Sequence, residues 1–153
     1  MNILLDANLI LLLVVGLSDP AYIGKHKRLS SVYRVEHFTL PTARIATERR
    51  LIFTPNTLAE TSNLIDHIAD PARAEINDRF RKLIQSGDSV TEEYLPSSAA
   101  SEDALFRRLG LTDVVLMQLL GGSTTLLTAD ARLYSAALGR GLRAENFTHY
   151  LGY

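Results

Sequence analysis

The chain has 153 residues, 46% of them hydrophobic, with 16 basic against 17 acidic side chains and no cysteine. That length suits one domain, here residues 1–153, with enough apolar sequence for a sizeable core, and the near-neutral balance does not by itself announce a nucleic-acid binder. The absence of cysteine excludes disulfides, thiolate metal sites and a cysteine nucleophile, and it fits a reducing, cytoplasmic setting.

Asn2, Ile3, Leu4 and Leu5 open the chain as a short apolar run, the pattern of a strand buried on both faces of a parallel sheet, and Asp6 ends it. Residues 9–17 are apolar without alternation. They are too few to span a bilayer and lack a basic leader, so a buried helix over about 7–15 is predicted, closed by Gly16 with Ser18, Asp19 and Pro20, with no membrane partner. Helices over 20–31 and about 41–50 follow. Between Pro20 and Arg50, seven basic residues (Lys25, Lys27, Arg28, Arg34, Arg44, Arg49, Arg50) stand against only Glu36 and Glu48, so this segment is +5 and the rest of the chain −6.

Residues 51–53 read as a second buried strand. Thr54 and Pro55 then form a cap and first-position pair for a helix reaching about residue 69, with Leu58, Leu64, Ile65 and Ile68 on its apolar arc and Glu60 at the border. Another helix is expected over 71–86, a strand over 89–95, a linker-like run at 96–101 and a helix over 102–109 ended by Gly110. Thr112 is placed as the cap of a helix over 113–120 that Gly121 and Gly122 terminate. A β-branched strand at 124–128, a helix at 131–138 and a short strand near 143–147 complete the reading. Strands separated by helices, without tight hairpin signals, predict a three-layer α/β/α domain with a mainly parallel central sheet.

In such folds ligands bind outside the carboxyl ends of the strands. Asp6 and Asp130 each follow a predicted strand directly, Asp113 opens a helix, and Glu60 lies in the second turn after another strand. Each acid has a structural account of its own. Asp130 suits a helix cap worth about 1 kcal/mol, Asp113 complements a helix dipole by roughly 0.3–1 kcal/mol, and Glu60 suits a solvated flank. Asp6, beside so central a strand, is the hardest to account for without a partner. Together the four share one rim, and carboxylates beside a core are costly to ionise unless paired or bound to a cation.

Asp6-Ala7-Asn8 after an opening strand, Glu60 on the helix after the next, helix-opening Asp113, and Leu127-Thr128-Ala129-Asp130 after a late strand resemble the PIN-domain ribonucleases. The resemblance covers nearly the whole chain and is specific as a set. It implies a PIN-like fold with Asp6, Glu60, Asp113 and Asp130 as catalytic ligands of Mg²⁺ or Mn²⁺, supported by Asn8 and Thr128. Small members of that family resemble the toxins of toxin–antitoxin pairs, which implies an antitoxin protein as partner; a homo-oligomer is also expected. Two departures stand out: Arg132 occupies a position where many relatives carry a further acid, and the segment 19–50 is longer than in compact members.

Mg²⁺ prefers oxygen ligands and keeps several waters, so a few carboxylates plus a substrate phosphate suffice to hold it. A bound ion lowers the pKa of water, aligns it with the scissile phosphate and steadies the leaving oxygen. No histidine base is needed, and His26, His37, His67 and His149 show no ligand spacing; His67 reads as a surface residue. Lys25, Lys27, Arg28, Arg49 and Arg50 are the expected substrate-binding cations, since an acidic site needs compensating charge to admit a polyanion. The expected substrate is single-stranded or looped RNA, with Tyr22, Tyr33 and Phe38 weighed as stacking partners against a place in the core. The expected activity is metal-dependent endoribonuclease. The alternative is a catalytically silent PIN-like module that binds RNA or protein. Other acidic α/β sites fit less well: a phosphoryl-aspartate hydrolase wants a second Asp where Asn8 stands, a receiver domain wants a late lysine, and a ribonuclease-H-like fold follows its first strand with a hairpin.

Overall fold

A computed structural model describes residues 1–46 and 50–151 of the chain, so Arg49 lies outside the described residues. Five strands, β1 (Asn2–Leu5), β2 (Arg50–Phe53), β3 (Val90–Glu92), β4 (Thr124–Thr128) and β5 (Ala144–Asn146), form one sheet in the order β3-β2-β1-β4-β5. Every neighbouring pair is parallel, with Ile3 level with Leu51 on one side and Thr125 on the other. The expected mainly parallel sheet is thus wholly parallel among the described residues. The α-helices are α1 (Ala7–Ser18), α2 (Lys27–Ser30), α3 (Thr39–Ala46), α4 (Pro55–Ile65), α5 (Ala72–Ile84), α6 (Ser97–Ala100), α7 (Phe106–Leu109), α8 (Leu111–Leu119) and α9 (Ala131–Gly139).

The period-two geometry of the strands divides the core. Ile3, Leu5, Leu51, Phe53 and Leu127 face α1, α4 and α5, while Leu4, Ile52 and Leu126 face Leu116 and Met117 of α8 and Leu133 and Ala137 of α9. Helices cover both faces, giving the three layers, and this is why the strands read as continuous apolar runs. α1 is buried from Leu9 to Gly16 and packs between the sheet, α4 and α5. It passes through Gly16, the first of the residues expected to close it, and ends at Ser18, with Asp19 as its C-cap. The ring of Phe38 lies so close that a Cβ at position 16 would meet it at 2.1 Å. That glycine makes room for an aromatic ring rather than ending a helix.

Several boundaries differ from the sequence reading for local reasons. Residues 20–31 divide into a 3₁₀ segment (Pro20–Gly24), capped by Asp19, and α2, capped by the buried ring of His26. α4 starts on Thr54 and Pro55 as expected but stops at Ile65, because the chain beyond turns to bond its neighbour: the N–H of Lys27 donates to the carbonyl of His67 at 3.1 Å. The run 96–101 is not a linker. It forms α6, whose Ala100 is fully buried against Val114 and Val115. α8 begins one residue ahead of Thr112, since Gly110 at φ +84° takes the cap position.

These helices orient the acids. α1, α4 and α9 each leave the carboxyl end of a strand, so Asp6 at the start of α1, Asp130 at the start of α9 and the first turns of α4 lie at one edge of the sheet. α8 ends just before β4 begins and so starts level with the same edge, carrying Asp113 in its first turn. Among the described residues no helix is long and apolar enough to cross a membrane.

Candidate active site

Asp6 joins β1 to α1 and is only 7% exposed. Its Oδ1 accepts the N–H of Leu9 at 3.1 Å, and its Oδ2 accepts the N–H of Ala129 at 3.0 Å together with the hydroxyl of Thr128. Burial drives its pKa up; the three hydrogen bonds oppose that, and the charge of Asp130 adds to it. Thr128 is fully buried at the end of β4, and its hydroxyl oxygen also accepts the N–H of Asp130 at 3.0 Å. One hydroxyl therefore ties the first acid of the chain to the backbone of the last.

Asp130 caps α9, its Oδ1 accepting the N–H groups of Arg132 at 2.8 Å and Leu133 at 3.2 Å. Asp113 is half-buried and Glu60 is exposed on α4; among the described residues neither makes a side-chain hydrogen bond or an ion pair. Asp113 responds to the charges of the other three acids. Its pKa is pushed up to about 7, first by burial and then by the charges of Asp130, Asp6 and Glu60, against a small opposing effect of Arg132. All three of the other acids thus reach it through the same low-dielectric rim.

The four share an electrostatic field without forming a closed coordination shell. Among the described residues, no three His, Cys, Asp or Glu side chains are disposed to hold a metal ion as they stand. The donor set nevertheless suits a hard divalent cation. Every donor is a carboxylate oxygen, and those of Asp113 and Glu60, with Oδ2 of Asp130, have no hydrogen bond among the described residues. An ion that keeps most of its water needs only one or two of them.

The expected basic wall divides. Arg28 donates from Nε and Nη2 to Oδ1 of Asn8, both at 3.4 Å, and so reaches the segment that follows Asp6. Lys25 and Lys27 turn instead toward a cleft with His67 and Ile68 at the α4–α5 junction, where Lys25 stands 6.0 Å from the ring of Tyr22. Arg50 is at the wrong end of the sheet for the rim. It opens β2, and its Nη1 donates to the carbonyls of Gly87 and Val90 and, at 2.7 Å, to the hydroxyl of Thr91. The reason is strand direction: in a parallel sheet a residue that starts a strand lies a strand length from one that ends it. Arg44 pairs with Glu145 of β5. Of the weighed aromatics, Tyr33 is buried in the core, while Tyr22 and Phe38 are half-buried.

Two contributors had no signal in the sequence. The backbone N–H groups of Leu9 and Ala129 hold Asp6 whatever their side chains are. Only the strand–acid–helix grammar on both sides of the site hints at them. No protein-family model, curated protein or solved structure matches this chain.

Proposed function

We propose that the chain is a metal-dependent endoribonuclease that hydrolyses phosphodiester bonds of RNA at the rim formed by Asp6, Glu60, Asp113 and Asp130. The observation that carries this reading is the electrostatic convergence on Asp113: a carboxyl raised to about 7 by burial and three like-charged neighbours, with no ion pair among the described residues. A fold that merely tolerated these acids would pair or disperse them. The segments that carry them, the ends of β1 and β4 and the first turns of α4 and α8, lie at the edge of the sheet where parallel α/β proteins bind their ligands, which supports the reading.

Mg²⁺ or Mn²⁺, held by Asp113 and Asp130 with Asp6 and Glu60, would supply a water of lowered pKa and neutralise charge on the scissile phosphate. The residues have separable roles. Asp6 is locked by three donors and keeps a fixed direction. Thr128 positions Asp6 and the Asp130 backbone together. Asp113, whose carboxyl is pushed up to about 7, would hold a cation in its ionised form, so binding would release its proton.

A second reading, a silent module that binds RNA or protein, draws on the absence of a preassembled metal-binding group among the described residues. One assay separates the two. A pool of structured RNAs is incubated with wild type or Asp6→Asn in Mn²⁺ or Mg²⁺. Metal-dependent cutting by wild type, lost by at least about 100-fold in Asp6→Asn, is expected for a group in the reacting site. RNA that is bound but never cut gives the second reading, and equal cutting by both proteins removes Asp6 from the mechanism.

A further inference from the structure

Beside the acidic rim lies a cleft of about 340 Å³ lined by Asn8, Arg28, Ser31, Val32, Tyr33 and Ala129. It is continuous with the rim through two of these. Asn8 is two residues past Asp6, and Ala129, which stands between Thr128 and Asp130, donates its N–H to Asp6. Its volume is at the small end for ligand pockets, suited to a group the size of one nucleotide.

The chemistry of its walls is one-sided. Arg28 carries five N–H donors, of which two are engaged, at the long distance of 3.4 Å, by Asn8. Tyr33 is 6% exposed, yet its hydroxyl finds no hydrogen-bond partner among the described residues. A buried hydroxyl without a partner is costly unless something outside the chain meets it. Burial, with the Asp6 charge, keeps that hydroxyl protonated and therefore a donor. The ring itself is fixed in the core against Phe147, with centroids 5.8 Å apart. A cationic fork, a fixed phenol O–H and an adjacent side-chain amide, with Val32 as an apolar flank, suit an anion attached to a flat organic group.

We infer that this cleft is a nucleotide subsite, in which Arg28 and the Tyr33 hydroxyl hold the phosphate next to the one cut at the rim. The inference rests on the nuclease reading for its place along the RNA, but the binding it requires needs no metal. It also gives the +5 segment a specific role, because Arg28, bonded to Asn8 beside Asp6, is the cation of that segment that meets the substrate there.

The test is an NMR titration in EDTA with three probes: a nucleoside 5′-monophosphate, the nucleoside alone and inorganic phosphate. The proteins are wild type, Arg28→Gln, Tyr33→Phe and Asp6→Asn. The monophosphate should shift the amides of Asn8, Ser31 and Ala129 and bind more tightly than either fragment. Arg28→Gln should weaken it by about tenfold, and Tyr33→Phe, which keeps the ring, by about threefold, as expected for one charged and one neutral hydrogen bond. Asp6→Asn should bind as well as wild type or better, since a nearby negative charge is gone. Shifts confined elsewhere, a nucleoside that binds as tightly as its monophosphate, or unchanged affinity in Arg28→Gln and Tyr33→Phe with wild-type melting would each overturn the subsite. The two proposals fail separately: RNA cut without nucleotide binding here removes the subsite alone, and nucleotide bound here without any RNA cleavage leaves a phosphate-binding cleft and removes the nuclease.

Discussion

Asp103 and Asp113 are ten residues apart in sequence, and their surroundings drive them in opposite directions. Asp103, in the turn before α7, has a side chain almost wholly covered by its partners. Arg140 donates to both of its oxygens at 2.6 and 2.8 Å, and Leu105 N–H and the Gln118 amide add two more bonds. Those hydrogen bonds, Arg140 first, hold its carboxyl well below the usual carboxylate range. Asp113 has none of these and is pushed up to about 7. Where this fold uses an acid for its own cohesion, it supplies an arginine and a full set of donors. Around Asp113 it supplies more acids instead. An arrangement that raises the energy of its own charged form is a cost to the fold, and on the metal-ion reading proposed above a cation would relieve it.

The sharpest way to break that contrast is to neutralise each acid in turn. Asp113→Asn should reduce metal-dependent RNA cleavage by about 100-fold or more while stabilising the metal-free protein. The gain is about 1 kcal/mol, well short of what the pKa alone suggests because water screens a half-buried group, and it corresponds to a melting temperature higher by roughly 2–4 °C. Asp103→Asn should do the reverse, costing about 2 kcal/mol through the lost charge-assisted bonds to Arg140 and leaving cleavage per folded molecule unchanged. If Asp113→Asn melts lower than wild type, the rim acid has a structural role and the contrast collapses.

pH sharpens the same comparison. Asp113 ionises near its ordinary value of 3.8 in the unfolded chain and at about 7 in the fold. Its folded pKa is raised, so the stability it contributes is full below about pH 4 and is lost as pH rises through 7. Metal-free wild type should therefore lose stability between about pH 4 and 7 relative to Asp113→Asn, and Mn²⁺, which would bind the ionised form, should raise its melting temperature more at pH 8 than at pH 6. Parallel pH profiles for the two proteins would end the claim. His26 acts with the opposite sign at lower pH. Burial lowers its pKa from 6.5, and its neutral ring accepts the N–H groups of Arg28 and Leu29, so the stability of the α2 cap is lost as pH falls through that lowered pKa.

How much of this is legible in the sequence depends on how local each determinant is. β1, β4, the start of α4 and the places of Asp6 and Asp130 directly after strands follow from apolar runs and cap residues within a few positions, and all can be read directly. Gly16 misleads because its reason, the ring of Phe38, lies 22 residues away. Arg50 misleads because charge says nothing of which end of a strand a residue occupies. The coordination state of the rim is not legible at all: the order Asp, Glu, Asp, Asp carries no information on side-chain rotamers. The cleft is half-visible, since Arg28 and Tyr33 stand out as a cation and an aromatic, but nothing in the order of residues places the tyrosine hydroxyl without a partner beside Asn8.

Thr128 offers the finest test, because it touches the contrast from the side of geometry rather than charge. Its hydroxyl donates to Asp6 and accepts from the Asp130 backbone, so it orients one acid and seats another. Thr128→Val keeps the shape and removes both bonds, leaving the N–H of Asp130 without its acceptor; about 1 kcal/mol of stability should go with it. If the hydroxyl positions Asp6 for chemistry, cleavage should fall about tenfold at unchanged KM, a loss in kcat alone. Thr128→Ser, which keeps the oxygen, should restore kcat even though it surrenders a buried methyl and some stability. Recovery of stability without recovery of kcat would make Thr128 a packing residue, and Asp6 would then owe its direction to the backbone N–H groups of Leu9 and Ala129 alone.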